Sequence, residues 1–587
     1  MTVSLLDEAE DRLRRGDASG CAQLCRQAIA ATRQGDPEHG EAHSLLGLAL
    51  IGAEMDTALE HLRRAAAFEP EEPQFRMNLA EGLIAAGRAG EAEAELRRAA
   101  ALSRGHPAPL LRLSRLLIAD GRAAESETLL RRILAADPDN GRARRLLAEA
   151  LFDKGDAYGA DEALRRAVGE RPERREDALM VAKLAQRLQE YDRALDVVEP
   201  LLEVDPPDRE AVLIAARLGI WRGDPGCTDA LVDRALEAYP GDAELIELRL
   251  DRGDAGEDEL ERFYESARAA APEAEARILY ALAQHNDRMR DADRAWAAAQ
   301  KANSLVKALR KPPPAGEMER KRQVLFQKAR LLGRGSDRGA KGKGPGLLYL
   351  CGAPRSGGSL VQSVLAAAPG AASVGERAAL LPSLHAMLAG KAKGGSARLA
   401  ALGDADLKGL ARLAPDAAHY IDKTPENMMF LGPISAVHPG ARFLCLLRDP
   451  AECVVSIFIR GFNPVFDYSY AAATIADYLI FNAEAAAAWI EDGYALRLAA
   501  LEDFLAAAEK EAAAIADWAG IDWSSDCLDP GRRTQPVPTF SARQVRGPIA
   551  PGAGWRREAY AEYLMPLEGK LARIGDLQAR LMDRRAP

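Results

Sequence analysis

The N-terminal half of the chain carries a helical pattern of hydrophobic positions that repeats every 34 residues. Apolar side chains recur at the spacing of one helix face, as at residues 45–49 and 59–66. A small residue opens the second helix of each unit, at Ala58, Ala92, Ser126, Ala160 and Ala194. The turn between the two helices keeps the same register, at Ala53, Gly87, Gly121, Gly155, Gln189 and Gly223. Prolines follow the second helix, at Pro70, Pro138, Pro172, Pro206 and Pro240.

This period predicts a solenoid of stacked helix pairs. An isolated pair cannot cover its own apolar face, so each pair must pack against its neighbours. Small residues let the two helices approach closely, and proline stops the second helix before the next pair begins. We expect six to seven units up to about residue 240, and a last helix pair at residues 277–297 as a cap.

Beyond Gly346 the hydrophobic pattern changes from helix pairs to alternating strands and helices. Residues 347–351 form an apolar run of the length of a buried strand, and residues 360–365 continue with helical spacing. A second apolar run, at residues 442–447, is likewise followed by a helical pattern, at residues 453–459. This half is therefore predicted to be an α/β three-layer domain with a mostly parallel sheet.

Local composition suggests the domain boundaries. Prolines at residues 312–314 break the helical pattern, and residues 333–345 are rich in glycine and basic residues. We expect the solenoid with its capping helices at 2–310, a linker helix and flexible basic segment at 311–345, and the α/β domain at 346–580.

Length and charge narrow the class of protein. The chain has 587 residues, too many for one hydrophobic core. Its formal net charge of -10 argues against a general nucleic-acid binder. No run of 18 apolar residues and no basic leader before an apolar segment occurs, so we expect neither a membrane span nor a signal peptide. The seven cysteines lack paired metal spacing and suit reduced thiols, which predicts a cytoplasmic protein.

The turn between the first predicted strand and its helix, residues 352–359 (GAPRSGGS), is a candidate anion site. A strand, a glycine-rich turn and a helix together aim backbone N–H groups and a helix N-terminus at one anion. Arg355, Ser356 and Ser359 add further donors. The alternative is an ordinary strand-to-helix turn that uses glycine for its tight geometry.

The loop does not fit a nucleotide kinase. The glycine spacing from Gly352 to Gly357 matches a kinase-type phosphate loop, but Gly358 follows where the phosphate-binding lysine belongs. Arg355 inside the loop must then carry the positive charge.

A second candidate anion site follows the predicted strand at residues 442–447. Arg448 would lie at the carboxyl end of this strand, where ligands of open α/β sheets bind. Ser456 and Arg460 are four residues apart and share one helix face. The alternative is a surface ion pair between Arg448 and Asp449, with Ser456 pointing to solvent.

These motifs together resemble a known family, the sulfotransferases. Residues 354–360 (PRSGGSL) resemble the 5′-phosphosulfate loop, which bacterial and tyrosylprotein members carry as PRSGTTL. Further motifs follow in the family's order, at residues 374–376 (VGE), 422–427 (DKTPEN), 447–450 (LRDP), 541–548 (SARQVRGP) and 554–555 (GW). The N-terminal period closely resembles the tetratricopeptide repeat, and fusion of such an array to this domain is a recognised bacterial arrangement.

The resemblance implies 3′-phosphoadenosine 5′-phosphosulfate (PAPS) as the sulfuryl donor and a hydroxyl as the acceptor. It implies that Glu376 takes the acceptor's proton and that Lys423 and Ser541 contact the bridging oxygen. Arg355 would bind the 5′-phosphosulfate and stabilise the charge that develops on the leaving phosphate. The rest of that loop is Pro354, Ser356, Gly357, Gly358, Ser359 and Leu360. The 3′-phosphate is expected at Arg448, Ser456 and Arg460, and the loop that closes over the nucleotide includes Gln544 and Val545.

Partners are less defined by the sequence. A tyrosine of a protein or peptide recruited by the repeats is the expected acceptor, with a carbohydrate or small-molecule hydroxyl as the alternative. The sequence does not distinguish a monomer from a homodimer. No metal is expected, since His385 and His438 are isolated from other ligand residues.

Three departures from the family pattern leave a second function open. Gly358 and Ser359 replace the usual two threonines, and Gly554 stands where relatives often carry Arg or Lys. Residues 499–504 lack the family's tyrosine. The alternative is a repeat-protein adaptor with a nucleotide-binding but inactive domain, whereas the retained charged residues, Arg355, Glu376, Lys423 and Arg448, favour an enzyme.

Overall fold

The computed structural model describes residues 2–33, 35–169, 172–224, 226–333, 345–377, 380–390, 395–462, 466–537, 542–549 and 554–583. The chain divides into two compact units, Met1–Val198 and Glu199–Pro587. This division lies within the repeat array, so the domain limits expected at residues 310 and 345 stay a prediction. Among the helices in these ranges, none has both the length and the apolar character to cross a membrane.

The first unit is built from helices that pack pairwise along the chain, as the period predicts. They are α1 (Thr2–Arg14), α2 (Ala18–Ala31), α3 (Pro37–Leu50), α4 (Met55–Phe68), α5 (Pro73–Ala85), α6 (Ala89–Leu102), α7 (Pro107–Ala119), α8 (Ala123–Ala136), α9 (Gly141–Asp153), α10 (Ala157–Val168), α11 (Arg175–Arg187) and α12 (Tyr191–Leu202), within which the division falls.

The residues of the 34-residue period have clear structural roles. The recurring small residues all have 0% exposure, because the helices of each pair touch there: Ala58, Ala92, Ser126, Ala160 and Ala194. The turn glycines from Gly87 onward have positive φ, which only glycine adopts without strain. Gln189 occupies the same turn with φ of 61°, so the turn geometry persists even where glycine is missing.

The second unit begins with the remaining helix pairs. They are α13 (Arg209–Arg222), α14 (Gly226–Ala238), α15 (Ala243–Asp251), α16 (Glu257–Ala269), α17 (Pro272–Arg288) and α18 (Ala292–Arg310), followed by the single helix α19 (Ala315–Leu332). The pair predicted at residues 277–297 corresponds to α17 and α18.

A five-stranded parallel sheet follows in the same unit. Its strands are β1 (Gly346–Gly352), β2 (Ala371–Gly375), β3 (His419–Lys423), β4 (Arg442–Leu447) and β5 (Leu496–Ala500), in the order β2-β3-β1-β4-β5. Strand β1 is central, with Tyr349 paired to Asp422 on one side and Phe443 on the other. Both strands predicted from apolar runs are confirmed, as β1 and β4.

Helices cover both faces of the sheet and give the predicted three layers. They are α20 (Gly358–Ala366), α21 (Leu381–Leu388), α22 (Ser396–Leu413), α23 (Leu431–Val437), α24 (Pro450–Phe458), α25 (Ala472–Glu491), α26 (Leu501–Ala506), α27 (Ala508–Ala519), α28 (Ala542–Val545), α29 (Trp555–Ala559), α30 (Ala561–Leu564) and α31 (Glu568–Asp583). Short 3₁₀ helices lie at Pro425–Met429, Asp467–Tyr470, Ser525–Leu528, Pro530–Arg532 and Met565–Leu567. Leu350 and Leu444 pack under α20 and α27, while Tyr349 and Phe443 pack under α23 and α25, as alternation along a strand requires.

The last helix pair shares a core with this α/β region. The Trp296 indole of α18 stacks on the Phe458 ring of α24, with ring centroids 4.2 Å apart. The Asn303 side-chain amide, also on α18, donates to the Phe458 carbonyl at 3.0 Å. The repeat helices of this unit are therefore part of the scaffold that holds α24.

Candidate functional site

The charged residues singled out in the sequence follow the carboxyl ends of four neighbouring strands. Glu376 comes directly after β2, Lys423 ends β3, and Arg448 comes directly after β4. Arg355 lies in the loop that follows β1. Because all four strands are parallel, these ends meet at one edge of the sheet, where open α/β sheets bind their ligands.

At this edge the structure has a cavity of about 620 Å³, which we call the donor cavity. Most of the predicted site residues line it: Pro354, Arg355, Ser356, Gly357, Gly358, Ser359, Leu360, Glu376, Lys423, Arg448 and Val545. Ser456 lies behind this lining, where its hydroxyl accepts from Arg355. Ser541 lies outside the described residues, and so does the side chain of Gln544.

Two glycines shape the loop between β1 and α20. Gly352 has φ of 120°, and a Cβ there would lie 2.8 Å from the Leu446 carbonyl oxygen. Gly357 has φ of 98°, and a Cβ there would lie 2.5 Å from Leu501 Cδ1. Any other residue would force the loop apart, so glycine is required to bring the α20 N-terminus to the cavity.

Arg355 and Arg448, which follow the neighbouring strands β1 and β4, are linked by a hydrogen bond. The Arg448 guanidinium donates to the Arg355 carbonyl oxygen at 2.8 Å, and Arg355 Nε donates to Ser456 Oγ at 3.1 Å. Burial, followed by the nearby guanidinium groups of Arg460, Arg448 and Arg556, holds the pKa of Arg355 well below its ordinary value. An anion in the donor cavity would relieve this repulsion between guanidinium groups. Such an excess of positive charge is typical of an anion-binding site.

A buried carboxylate, Glu452, organises this cation group, and sequence reasoning missed it. Glu452 is 1% exposed and accepts from Arg448 and Arg556, each at 3.0 Å. It also accepts from the backbone N–H groups of Gly554 and Arg556, at 3.2 and 2.9 Å. The available signal was its position four residues after Arg448, in the first turn of the helix that follows β4.

Arg556, which donates to Glu452, does not belong to the lining of the donor cavity. Its guanidinium also forms two hydrogen bonds to Asp287 of α17, at 3.0 and 2.6 Å. It is thus shared between two buried carboxylates, one on α24 and one on a repeat helix.

Glu376 and Lys423 form an ion pair at the wall of the donor cavity. Lys423 is buried, at 8% exposure, whereas 47% of the Glu376 side chain is exposed. The aliphatic part of Lys423 lies against Gly358, where an added Cβ would be 3.0 Å from Lys423 Cγ. The Glu376 carboxylate is thus held at the cavity with one face open.

Two predicted residues have unexpected surroundings. The Ser356 hydroxyl donates to the Ala353 carbonyl at 2.7 Å, so it closes the loop turn. Arg460 is buried and lines a second cavity, together with Glu376, rather than the donor cavity. Burial lowers the Arg460 pKa to about 10, although Asp251 and Glu247 nearby raise it. Its expected contact with a 3′-phosphate stays a prediction.

An apolar wall completes the donor cavity, and sequence reasoning missed it too. It comprises Phe462, Phe466, Leu501, Leu505 and Ile549. The two phenyl rings meet edge to face, with centroids 5.6 Å apart. The signal in the sequence was two phenylalanines close together after α24, in a segment with no helical pattern.

The loop that carries Val545 is anchored from two sides. Arg533, which is almost fully buried, donates to the carbonyls of Val545 and Gly547 at 2.6 and 2.7 Å. Arg546 donates to the Trp221 carbonyl on α13 at 2.7 Å. A repeat helix therefore helps to position one wall of the donor cavity.

Within the described ranges, no group of three or more His, Cys, Asp or Glu side chains could hold a metal ion.

Fold and site together define a helical repeat array followed by a parallel α/β domain with a cavity lined by Arg355, Lys423 and Arg448 at one edge of its sheet. Residues 348–525 match the model of the sulfotransferase family, and residues 83–150 match the tetratricopeptide repeat. The chain thus carries a sulfotransferase-family domain behind tetratricopeptide repeats. These matches support sulfotransfer as the general activity and protein–protein interaction as the general role of the repeats.

Three solved structures show a limited similarity to the chain. A tetratricopeptide repeat protein from Parabacteroides merdae ATCC 43184 is 15% identical, with TM-score 0.34, over 42% of this chain and 97% of that chain. PilW, a type IV pilus biogenesis factor, is 21% identical, with TM-score 0.32, over 36% and 98%. MamA from Desulfovibrio magneticus RS-1 is 19% identical, with TM-score 0.26, over 30% and 97%. No curated protein matches the chain.

Proposed function

We propose that the α/β domain transfers a sulfuryl group from PAPS to an acceptor hydroxyl, and that the acceptor is a tyrosine of a protein or peptide recruited by the repeats. The observation that carries this proposal is the pair of cationic residues, Arg355 and Arg448, which follow the neighbouring strands β1 and β4 and are linked by a hydrogen bond. One anionic group of the donor binds at the loop of Arg355. The 3′-phosphate binds at Arg448 and Ser456.

The donor cavity suits a nucleotide with two anionic ends. Its volume, about 620 Å³, lies in the range of nucleotide and cofactor sites. The N-terminus of α20 and the loop amides add positive potential on the side of Arg355. Phe462 and Phe466 offer an aromatic face on which a base can stack.

The residues of this chain supply positioning, charge and a proton acceptor. Arg355 binds the 5′-phosphosulfate and stabilises the charge of the leaving phosphate, and Lys423 with Ser541 contacts the bridging oxygen. The bond from the acceptor oxygen to sulfur forms as the bond from sulfur to the 5′-phosphate oxygen breaks. Glu376, held by Lys423 with one face open, takes the proton that the hydroxyl loses.

Donor binding is the first experiment. Calorimetry should compare 3′-phosphoadenosine 5′-phosphate with adenosine 5′-phosphate on the full chain. We expect the bisphosphate to bind at least 10-fold more tightly, since one charge-assisted contact is worth about 1.5–3 kcal/mol. Ser456→Ala and Arg448→Gln should reduce that difference. Equal affinity of the wild-type chain for both nucleotides would refute a 3′-phosphate site.

Turnover is the second experiment. With labelled PAPS, Glu376→Gln should bind the bisphosphate as the wild type does but transfer sulfate about 10²–10⁴-fold more slowly. An exposed carboxylate outside both cavities, Glu509 of α27, gives the matched control Glu509→Gln. Unchanged transfer by Glu376→Gln would remove Glu376 from the role of base. Tight donor binding without transfer by the wild type would favour the alternative, an adaptor with an inactive domain.

A further inference from the structure

A second cavity, of about 410 Å³, adjoins the donor cavity at Glu376. Most of its wall comes from α13, α15 and α17, the first helices of the last three helix pairs. The α/β region contributes Glu376, Arg460 and Ala542. Among the described residues, Glu376 alone lines both cavities.

Three arginine–carboxylate pairs lie in the lining of this second cavity, one of them Arg288 with Asp251 at 3.6 Å. Arg217 of α13 donates to Glu244 of α15 at 2.8 Å, and Arg277 of α17 donates to Glu247 of α15 at 2.9 Å. A ligand with a net charge would compete with these ion pairs, whereas a neutral ligand leaves them intact. The lining therefore favours a neutral ligand.

The same lining includes four apolar residues, Ile220, Trp221, Leu248 and Ala281. Flat aromatic rings gain most from contact with such a surface, and a phenol adds one polar end. A neutral aromatic group with a hydroxyl thus matches both parts of the lining. That description fits a tyrosyl side chain better than a sugar, which has hydroxyls on all sides.

We propose that the second cavity is the acceptor site, an inference that rests on the proposed function. The cavity binds a tyrosyl side chain of a protein segment, with the phenol of that tyrosine at Glu376. The hydroxyl that reacts must reach both the donor and the base, and Glu376 is where the two cavities meet. Because three repeat helices form most of the wall of the second cavity, the repeats determine acceptor specificity at the catalytic centre itself.

The test narrows the second cavity without touching the donor cavity. Gln284→Trp, on α17, places a large ring among the lining residues, and Leu248→Trp does the same from α15. Glu273→Trp is the matched control, since Glu273 is exposed on α17 and outside the lining. Acceptor probes are a library of 15-residue peptides with a central tyrosine, the same library with phenylalanine, and a pool of neutral oligosaccharides.

We expect the wild type and Glu273→Trp to label the tyrosine library and not the phenylalanine library. At least one of the two cavity variants should fold, by circular dichroism, and bind 3′-phosphoadenosine 5′-phosphate normally. Each such variant should label the tyrosine library at least 10-fold more slowly. Wild-type labelling rates in a folded cavity variant would overturn the site assignment, and labelling of oligosaccharides alone would overturn the tyrosine assignment. Failure of the proposed function is distinct, because the wild type would then neither bind the bisphosphate nor transfer label.

Discussion

Replacement of Arg556 by methionine should strongly destabilise the second unit. Arg556 bridges Asp287 and Glu452, which are 3% and 1% exposed. Removing one partner of a buried ion pair costs about 3–5 kcal/mol, because the remaining charge is left in a medium that solvates it poorly. Glu452 keeps Arg448, and Asp287 keeps the Tyr560 hydroxyl at 3.0 Å. We therefore expect the lower end, about 3 kcal/mol, out of a total of about 5–15 kcal/mol for a typical domain.

The assay is urea unfolding followed by tryptophan fluorescence. All six tryptophans lie after residue 198, so their fluorescence reports on the second unit. The neighbouring residue gives a matched control: Arg557 pairs with Asp449 at the surface and is 54% exposed. Arg557→Met should cost less than about 1 kcal/mol.

A double variant separates charge from packing. Adding Asp287→Asn to Arg556→Met should recover part of the lost free energy of unfolding, since one stranded charge is then gone. Equal destabilisation by Arg556→Met and Arg557→Met, or no recovery in the double variant, would refute the reasoning.

Three further predictions test other parts of the molecule. Burial raises the pKa of Glu426 to about 7, so its neutral form stabilises the fold below about pH 4 and this contribution is lost as pH rises through 7. The free energy of unfolding of the wild type should therefore fall between pH 5 and 8. Glu426→Gln should reduce this fall by at most about 3 kcal/mol, measured by thermal unfolding at each pH. Gly357→Ala should weaken binding of 3′-phosphoadenosine 5′-phosphate at least 10-fold by calorimetry, since its Cβ would meet Leu501, whereas Gly90→Ala, with open space around it, should not. Gln189→Gly should raise the free energy of unfolding of the first unit by about 0.5–1 kcal/mol, measured by thermal unfolding followed by circular dichroism. The reason is that relief of the backbone strain at the positive φ of Gln189 exceeds the entropy that glycine adds to the unfolded chain.

The repeat part of the fold is predictable because its signal is periodic. The same small residue must be buried in every helix pair, so the sequence repeats the requirement at each unit, from Ala58 to Ala194. The sheet is harder, since only β1 and β4 are uninterrupted apolar runs. β2, β3 and β5 are five residues each, and their strand character comes from pairing with neighbours rather than from their own pattern.

The charged site residues could be chosen from the sequence, but their partners could not. Arg355, Glu376 and Arg448 occupy motif positions that chemistry restricts. Their surroundings depend on contacts between distant segments: Asp287 reaches Arg556 across 269 positions, and Arg546 reaches Trp221 across 325. No local pattern encodes such contacts, so the second cavity was invisible before the fold was known.

Gly358 shows how such contacts change an interpretation. In the sequence it is a departure from the threonine of the sulfotransferases that the domain resembles, and so it counts toward an inactive domain. In the structure the space beside it is filled by Lys423, whose Cγ would lie 3.0 Å from an added Cβ and whose ammonium pairs with Glu376. A threonine would press on the side chain that holds the proposed base. The glycine is therefore compatible with a working Lys423–Glu376 pair, and its presence alone is no argument that the domain is inactive.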